Sequence, residues 1–345
     1  MPFFQRTCTW TALARHGVTG AALACASLGL AALALQEPRP PRLGSGAHVY
    51  DWVPAWGQLP EGSSYGNTHG AIAVDSKGRI YVNTDSEKAV IAFEPDGTFV
   101  KAWGSELAGG LHGMAIARDG EREVLWLAHT GRHEVIQTTL DGEILRTIPC
   151  PLASGHYERA EQYLPTSVAV APDGSIFVAD GYGRSWVHQF DAAGEYVRSI
   201  GGPGEEPGKF RTPHGISIDA RGGTPKLLVA DRENHRLQWF DLEGRFLVAS
   251  TVELRRPCIA YAQGDDLVVA DLGGRVTILD RENRLVCHLG DNPDPAKRAQ
   301  NGVPREQWKD GEFLSPHCAR WDAAGDLYVV DWNAFGRVNK LARVR

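Results

Sequence analysis

Pro213-His214-Gly215-Ile216-Ser217-Ile218-Asp219 decides the architecture of this 345-residue chain, because degraded copies of it recur along most of the sequence. Aligning the copies places His69, His112, Thr166, His214, Cys258 and His317 in one equivalent position, at spacings of 43, 54, 48, 44 and 59 residues. Repeats of that length, each holding a few short strands, are the mark of a β-propeller whose blades surround a central channel. The expected fold is therefore all-β, a six-bladed propeller. Residues in the same position of every blade lie at one height and face one axis. His112, His214 and His317 fall on blades two, four and six, so a six-fold ring sets their imidazoles at the corners of a triangle. Three converging nitrogens with an open coordination position describe a catalytic zinc site better than a structural one.

Two blades show the pattern clearly. Thr166 to Ala171, Ser175 to Asp180, Trp186 to Asp191 and Glu195 to Ile200 alternate with period two, and Pro172-Asp173-Gly174 and Ala192-Ala193-Gly194 supply turns between them. The next blade repeats this over His214 to Asp219, Lys226 to Asp231, Arg236 to Asp241 and Arg245 to Thr251. After Val338 to Ala342 the chain nearly ends, leaving blade six without an outer strand. The segment His48 to Gly57 (HVYDWVPAWG) resembles the outer strand Phe99 to Gly104 (FVKAWG) and is expected to fill that place. Such closure removes a free sheet edge.

Composition is that of an ordinary globular protein, 43% hydrophobic and 23% charged. A net charge of −6 without a basic run argues against nucleic acid and leaves small molecules, peptides or proteins as partners. At the N-terminus, Arg6, Arg15 and His16 precede an apolar stretch from Val18 to Leu35 with a small-residue site at Ala32-Leu33-Ala34. Residues 1–34 thus read as a signal peptide or an N-terminal membrane anchor, 35–46 as a linker and 47–345 as the propeller. Either form of leader implies export, to the periplasm or the extracellular space. Cys150, Cys258, Cys287 and Cys318 lie beyond the leader. They allow three disulfide pairings, or stand as small buried residues in strands.

Three phrases carry a family resemblance: Asp180-Gly181-Tyr182-Gly183 with its continuation to Phe190, Pro213-His214, and Ala230-Asp231-Arg232-Glu233-Asn234-His235-Arg236. Together with Pro165-Thr166 and Pro316-His317, they resemble the NHL-repeat propeller of peptidyl-α-hydroxyglycine α-amidating lyase (peptidylamidoglycolate lyase). The likeness runs from blade two to the end and is strongest from Tyr163 to Asp241. It implies zinc held by His112, His214 and His317, with Tyr182 and Arg232 as catalytic residues beside it. The implied reaction splits a C-terminal α-hydroxyglycine into a peptide amide and glyoxylate. A phenolate can accept the hydroxyl proton, and a guanidinium can hold a carboxylate in bidentate fashion. A dication nearby would lower the Tyr182 pKa below its ordinary value of about 10.

The chain departs from the family in two places. Where the family carries a blade-one arginine, this sequence reads Asn83-Thr84-Asp85-Ser86-Glu87-Lys88, with Lys88 a loose substitute. Cys318 replaces the acidic calcium ligand that follows the last histidine, so calcium bound in the family's manner is not expected. His69 also brings a fourth imidazole towards the site. Other histidines, His129, His133, His188 and His235, fall in outer loops or strands and are expected to be solvated. The alternative to a lyase is a non-catalytic NHL propeller that binds a peptide, glycan or protein partner, in which a histidine at the repeated position merely braces an inner strand. Fold by itself does not separate these two.

Overall fold

The structure is a computed structural model and describes residues 39–250 and 252–345. The leader assigned to residues 1–34 lies outside the described residues. Among the described residues every helix is a single 3-10 turn, and no helix is long and apolar enough to cross a membrane.

Six antiparallel sheets follow one another along the chain, five of four strands and one of five. Blade one spans Ile72–Val74 to Phe99–Trp103, and blade two Leu111–Asp119 to Ile144–Pro149. Blade three spans Ser167–Val170 to Tyr196–Gly201, blade four Pro213–Asp219 to Phe246–Ala249, and blade five Pro257–Gln263 to Leu285–Leu289. Blade six is built from both ends of the described chain. Pro316–Trp321, Leu327–Asp331 and Arg337–Arg343 are its inner three strands, and His48–Val53 pairs with Arg337–Arg343 as the fourth. The predicted closure is present, with Tyr50 opposite Arg343 and Trp52 opposite Leu341. A further strand, Arg42–Ser45, folds back on His48–Val53. Part of the stretch read as a linker is therefore sheet: Gly44 and Gly46 at positive φ turn the chain so that it pairs with its own continuation.

Two more contacts stitch the ring shut. Trp321 donates its indole N–H to the Tyr50 hydroxyl at 2.8 Å, and Thr68 bonds across to the backbone of Asn333 and Asp331. Apolar side chains from facing sheets fill the space between blades. Val124, Trp126, Val168 and Val178 lie between blades two and three, and Ala169, Phe177, Leu227 and Val229 between three and four. Leu228, Trp239, Leu267 and Val269 do the same between four and five. The channel takes the histidines at one level, while inner-strand residues such as Ile116, Val168, Ile216 and Tyr261 line another cavity along it.

A regular device aims the side chains in the repeated position. In blades two, four, five and six the ladder between first and second strands skips one residue, between Leu111 and Gly113, Pro213 and Gly215, Pro257 and Ile259, and Pro316 and Cys318. The skipped residues are His112, His214, Cys258 and His317. A bulge frees its residue from strict alternation and redirects the side chain, here into the channel.

The loops after the second strands carry a second repeated element. Buried aspartates end these strands in blades four, five and six, each paired with the arginine that begins the third strand: Asp231 with Arg236 at 2.8 Å, Asp271 with Arg275 at 3.3 Å, Asp331 with Arg337 at 3.2 Å. Blade three has Asp180 but begins its third strand with Trp186. Asp180 accepts instead from the Tyr157 hydroxyl at 2.6 Å and from the backbone of Leu164 and Arg184. Burial without a cationic partner pushes its carboxyl up to about 6. His188 completes the network, with Nε2 at 2.6 Å from the Tyr157 hydroxyl and Nδ1 at 2.9 Å from Ser199. This corrects the expectation of solvated outer histidines: His188 and His129 are buried, the latter between the Leu107 carbonyl and the Arg132 amide. The four cysteines beyond the leader are free thiols, three of them buried.

Closure through His48–Val53 predicts a global effect on removal. Deleting residues 42–53 is expected to abolish the cooperative thermal transition seen by circular dichroism, and Trp52→Ala, which empties a fully packed position, to cost about 3–5 kcal/mol in denaturant titration. An unchanged transition in the deletion would show that the ring does not depend on this strand.

Candidate metal centre

His112, His214 and His317 meet in the channel as a nearly equilateral triangle, with ring centroids 4.8, 4.8 and 4.7 Å apart. All three are buried, at 2–4% exposure. Each Nδ1 faces a backbone carbonyl of a neighbouring inner strand: Thr166 at 2.7 Å for His112, Cys258 at 3.0 Å for His214, and Gly70 at 2.8 Å for His317. A carbonyl only accepts, so the hydrogen of each neutral ring sits on Nδ1 and Nε2 presents a bare lone pair to the channel. Burial, reinforced by the neighbouring imidazoles and Arg232, holds all three well below the usual histidine pKa, so they stay neutral.

The residue after the histidine makes this orientation possible. A Cβ on Gly113 would collide with the Thr166 carbonyl, and one on Gly215 with the Cys258 carbonyl. These are the carbonyls that accept from His112 and His214. In the third case the glycine is on the accepting strand, as Gly70, and Cys318 follows the histidine with its sulfur accepting from the Ile72 amide at 3.3 Å.

Tyr182 reaches the same point from the blade-three loop. Its hydroxyl lies 3.0 Å from His214 Nε2, 3.2 Å from His112 Nε2 and 3.4 Å from His69 Nε2, and accepts from Arg232 at 3.3 Å. The Arg232 guanidinium also stacks over the Tyr182 ring at 5.4 Å and donates to Glu233 Oε1, which accepts from Arg256 as well. All five residues singled out from the sequence therefore converge. From the protein's own groups, burial outweighs Arg232 and raises the Tyr182 pKa, the opposite of the depression expected beside a dication.

Counting hydrogens shows what the site lacks. Three Nε2 lone pairs face the centre, and Tyr182 has one hydrogen to offer. His317 Nε2 is buried with no partner at all. At least two lone pairs are thus unpaired in a region of low polarity, an arrangement that costs free energy unless a cation supplies the missing positive charge. Donor atoms of His69, His112 and His317, and of His214, Cys258 and His317, each lie within 4.8 Å of one another. A void of about 10 Å³ is lined by the three histidines with Thr166, Cys258 and Ile259 but not by His69, Tyr182 or Arg232, and is room for about one water. The donors fit a metal ion. Imidazoles whose other nitrogen is fixed by a carbonyl are its usual ligands.

The blade-one wall differs from the sequence expectation. Lys88 makes no side-chain contact with the centre, and Asp85 takes the forward position, 3.6 Å from His69 Nδ1. No residue pattern signals this, because loop direction decides which of six consecutive residues faces inward.

Comparison with known proteins agrees with this architecture. A family model described as a 6-bladed beta-propeller matches residues 166–268. A Caenorhabditis elegans protein named a probable peptidyl-alpha-hydroxyglycine alpha-amidating lyase is 30% identical over 189 residues, 53% of this chain and 49% of that one. Drosophila melanogaster peptidyl-alpha-hydroxyglycine alpha-amidating lyase 2 is 27% identical over 71% of this chain and 57% of its own length. Mouse NHL repeat-containing protein 3 is 31% identical over 49% of this chain and 51% of its own. The match thus spans about half the length of these relatives. Among solved structures, a gluconolactonase from Xanthomonas campestris superposes with a TM-score of 0.59 at 15% identity, covering 89% of this chain and 95% of that one. A streptogramin B lyase superposes with a TM-score of 0.56 at 11% identity, covering 81% and 96%. At such identities these two structures speak for the fold alone. Repeats, closed ring and relatives agree, and the chain is a six-bladed β-propeller of the NHL type.

Proposed function

We propose that the protein is an exported, metal-dependent lyase that cleaves the C–N bond of an α-hydroxyglycine amide, releasing an amide and glyoxylate. The observation that carries this is the set of unpaired imidazole lone pairs focused beside Tyr182 and Arg232. Zinc suits neutral imidazole donors, and His112, His214 and His317 would hold it. When bound, it supplies Lewis-acid stabilisation of charge developing on the substrate oxygen. Arg232 presents its guanidinium to the substrate carboxylate and fixes the α-carbon near Tyr182. Tyr182, as phenolate, takes the proton of the α-hydroxyl. The O–H electron pair becomes the second carbonyl bond, the C–N bond breaks, and the proton held on Tyr182 passes to the departing amide nitrogen. Export rests on the basic and apolar N-terminal sequence, and membrane contact is confined to that leader. The partner is a small-molecule or peptide substrate in the channel.

Metal analysis and product release test this together. The purified protein is expected to carry about one zinc per chain and to release glyoxylate from a model α-hydroxyglycine peptide. A zinc-loaded protein inert on every such peptide would leave the alternative of a binding propeller. Tyr182→Phe is expected to lower kcat by at least about 100-fold with zinc content unchanged, the size expected for losing a general base. Arg232→Ala is expected to raise KM for carboxylate substrates, and Arg232→Lys to recover little of it.

The glycine beside the carbonyl gives an independent check. Gly215→Ala is expected to displace the Cys258 carbonyl, release His214 Nδ1 and weaken zinc retention about 10–100-fold, read by chelator competition. Retention at the level of the parent protein would dissociate the glycine from the metal centre.

Acid should act through the same three imidazoles. Their folded-state pKa values lie below the unfolded value of about 6.5, so the unfolded chain binds more protons and stability falls as pH drops through 6.5. The denaturant midpoint of the metal-free protein is expected to be lower at pH 5.5 than at pH 7.5, and the loss to shrink in His214→Gln.

A further inference from the structure

The channel holds a fourth imidazole built in the manner of the other three. His69 lies 4.7 Å from His112 and 4.9 Å from His317 by ring centroid, the same separations as within the triangle. Its Nε2 faces the Tyr182 hydroxyl at 3.4 Å. Its Nδ1 is turned away from the centre towards the Asp85 carboxylate at 3.6 Å, a charge contact longer than the imidazole–carbonyl hydrogen bonds of the other three. That carboxylate is itself fixed: Asn67 donates to it at 2.7 Å, and Asn301 donates to Asn67 at 2.9 Å. On its open side the His69 ring lies 5.5 Å from Trp332 by centroid. At 24% side-chain exposure, His69 is nearer the channel mouth than the buried three.

From this geometry we infer that His69 is a fourth donor of the same metal centre, with Asp85 as the carboxylate that orients it and strengthens its donation. The inference rests on the metal reading proposed above but not on the reaction: four imidazoles fill a tetrahedral ion, so a substrate oxygen would have to enter as a fifth ligand. A carboxylate behind a ligating imidazole fixes its tautomer and raises its basicity, and carboxylate and cation attract across the ring. The buried orphan nitrogen of His317 and the donor set His69, His112 and His317, all within 4.8 Å, place the metal-seeking side of the cluster towards blade one as well as blade four. An arginine in the loop position of Asp85 would repel such a cation. The acidic residue there is consistent with a centre that recruits His69.

Metal affinity and coordination test this without reference to turnover. Zinc affinity is measured by competition with a chromophoric chelator, and the cobalt-substituted protein by its d–d absorption, for the parent chain, His69→Ala, His69→Gln and Asp85→Asn. A ligand His69 predicts zinc binding about 10–100-fold weaker in both His69 variants and about 10-fold weaker in Asp85→Asn, with a changed cobalt spectrum in the His69 variants. Parental affinity and an unchanged spectrum in folded His69→Gln would overturn the assignment while leaving the three-histidine site intact, as would absence of metal from the parent protein. His69-dependent metal binding without glyoxylate release would sustain the assignment and remove the proposed reaction. Asp85→Asn keeps the test open should the His69 variants fail to fold.

Discussion

The hydrogen bond from a channel imidazole to the backbone of the neighbouring blade is the interaction on which this structure turns. In His112–Thr166 and His214–Cys258 it spans two blades, and in His317–Gly70 it crosses the seam where the ring closes. One bond does two tasks. It ties adjacent inner strands together at the crowded axis, and it commits each ring hydrogen to Nδ1, leaving Nε2 with a free lone pair facing the channel. The bulge that turns the histidine inward and the glycine that lets the carbonyl approach are both conditions for that bond. Bracing the inner strands and presenting a donor to the channel are thus compatible in one histidine.

The electrostatics of the channel are asymmetric. On the blade-four side, Arg232 and Arg256 share Glu233 and offer a positive wall suited to an anionic group. On the blade-one side, Asp85 presents a carboxylate behind His69. Between them Tyr182 is raised by burial and pulled down by Arg232, so the charge of any ion at the focus decides which tendency prevails. Burial of the imidazoles works in one direction only, keeping them neutral and available as ligands.

The Tyr182 loop has its own support, and blade three differs from its neighbours because of it. Blades four, five and six secure the corresponding loop with an aspartate–arginine pair. Blade three replaces the arginine with Trp186 and anchors Asp180 through Tyr157 and His188. The neutral Tyr–His arrangement holds the loop without a buried cation. Three main-chain and hydroxyl donors on Asp180, including the Arg184 amide within the loop itself, fix the backbone that carries Tyr182.

The family resemblance pointed to Tyr182 and Arg232. By itself the sequence determined the repeat, the six blades, the closing strand and the convergence of His112, His214 and His317. These follow from periodicity: a residue at a fixed offset in a repeated unit must appear at one height around the axis, whatever the loops do. The tertiary structure alone decided the rest. That Arg42–Ser45 is strand depends on a turn folding it onto its neighbour, and that Asp85 rather than Lys88 faces the centre depends on the course of one loop. The buried states of His129 and His188 depend on partners 22 and 31 residues away, Leu107 and Tyr157. Offsets within a repeat survive folding unchanged, whereas the facing of a loop residue is set by contacts between segments that no local pattern encodes.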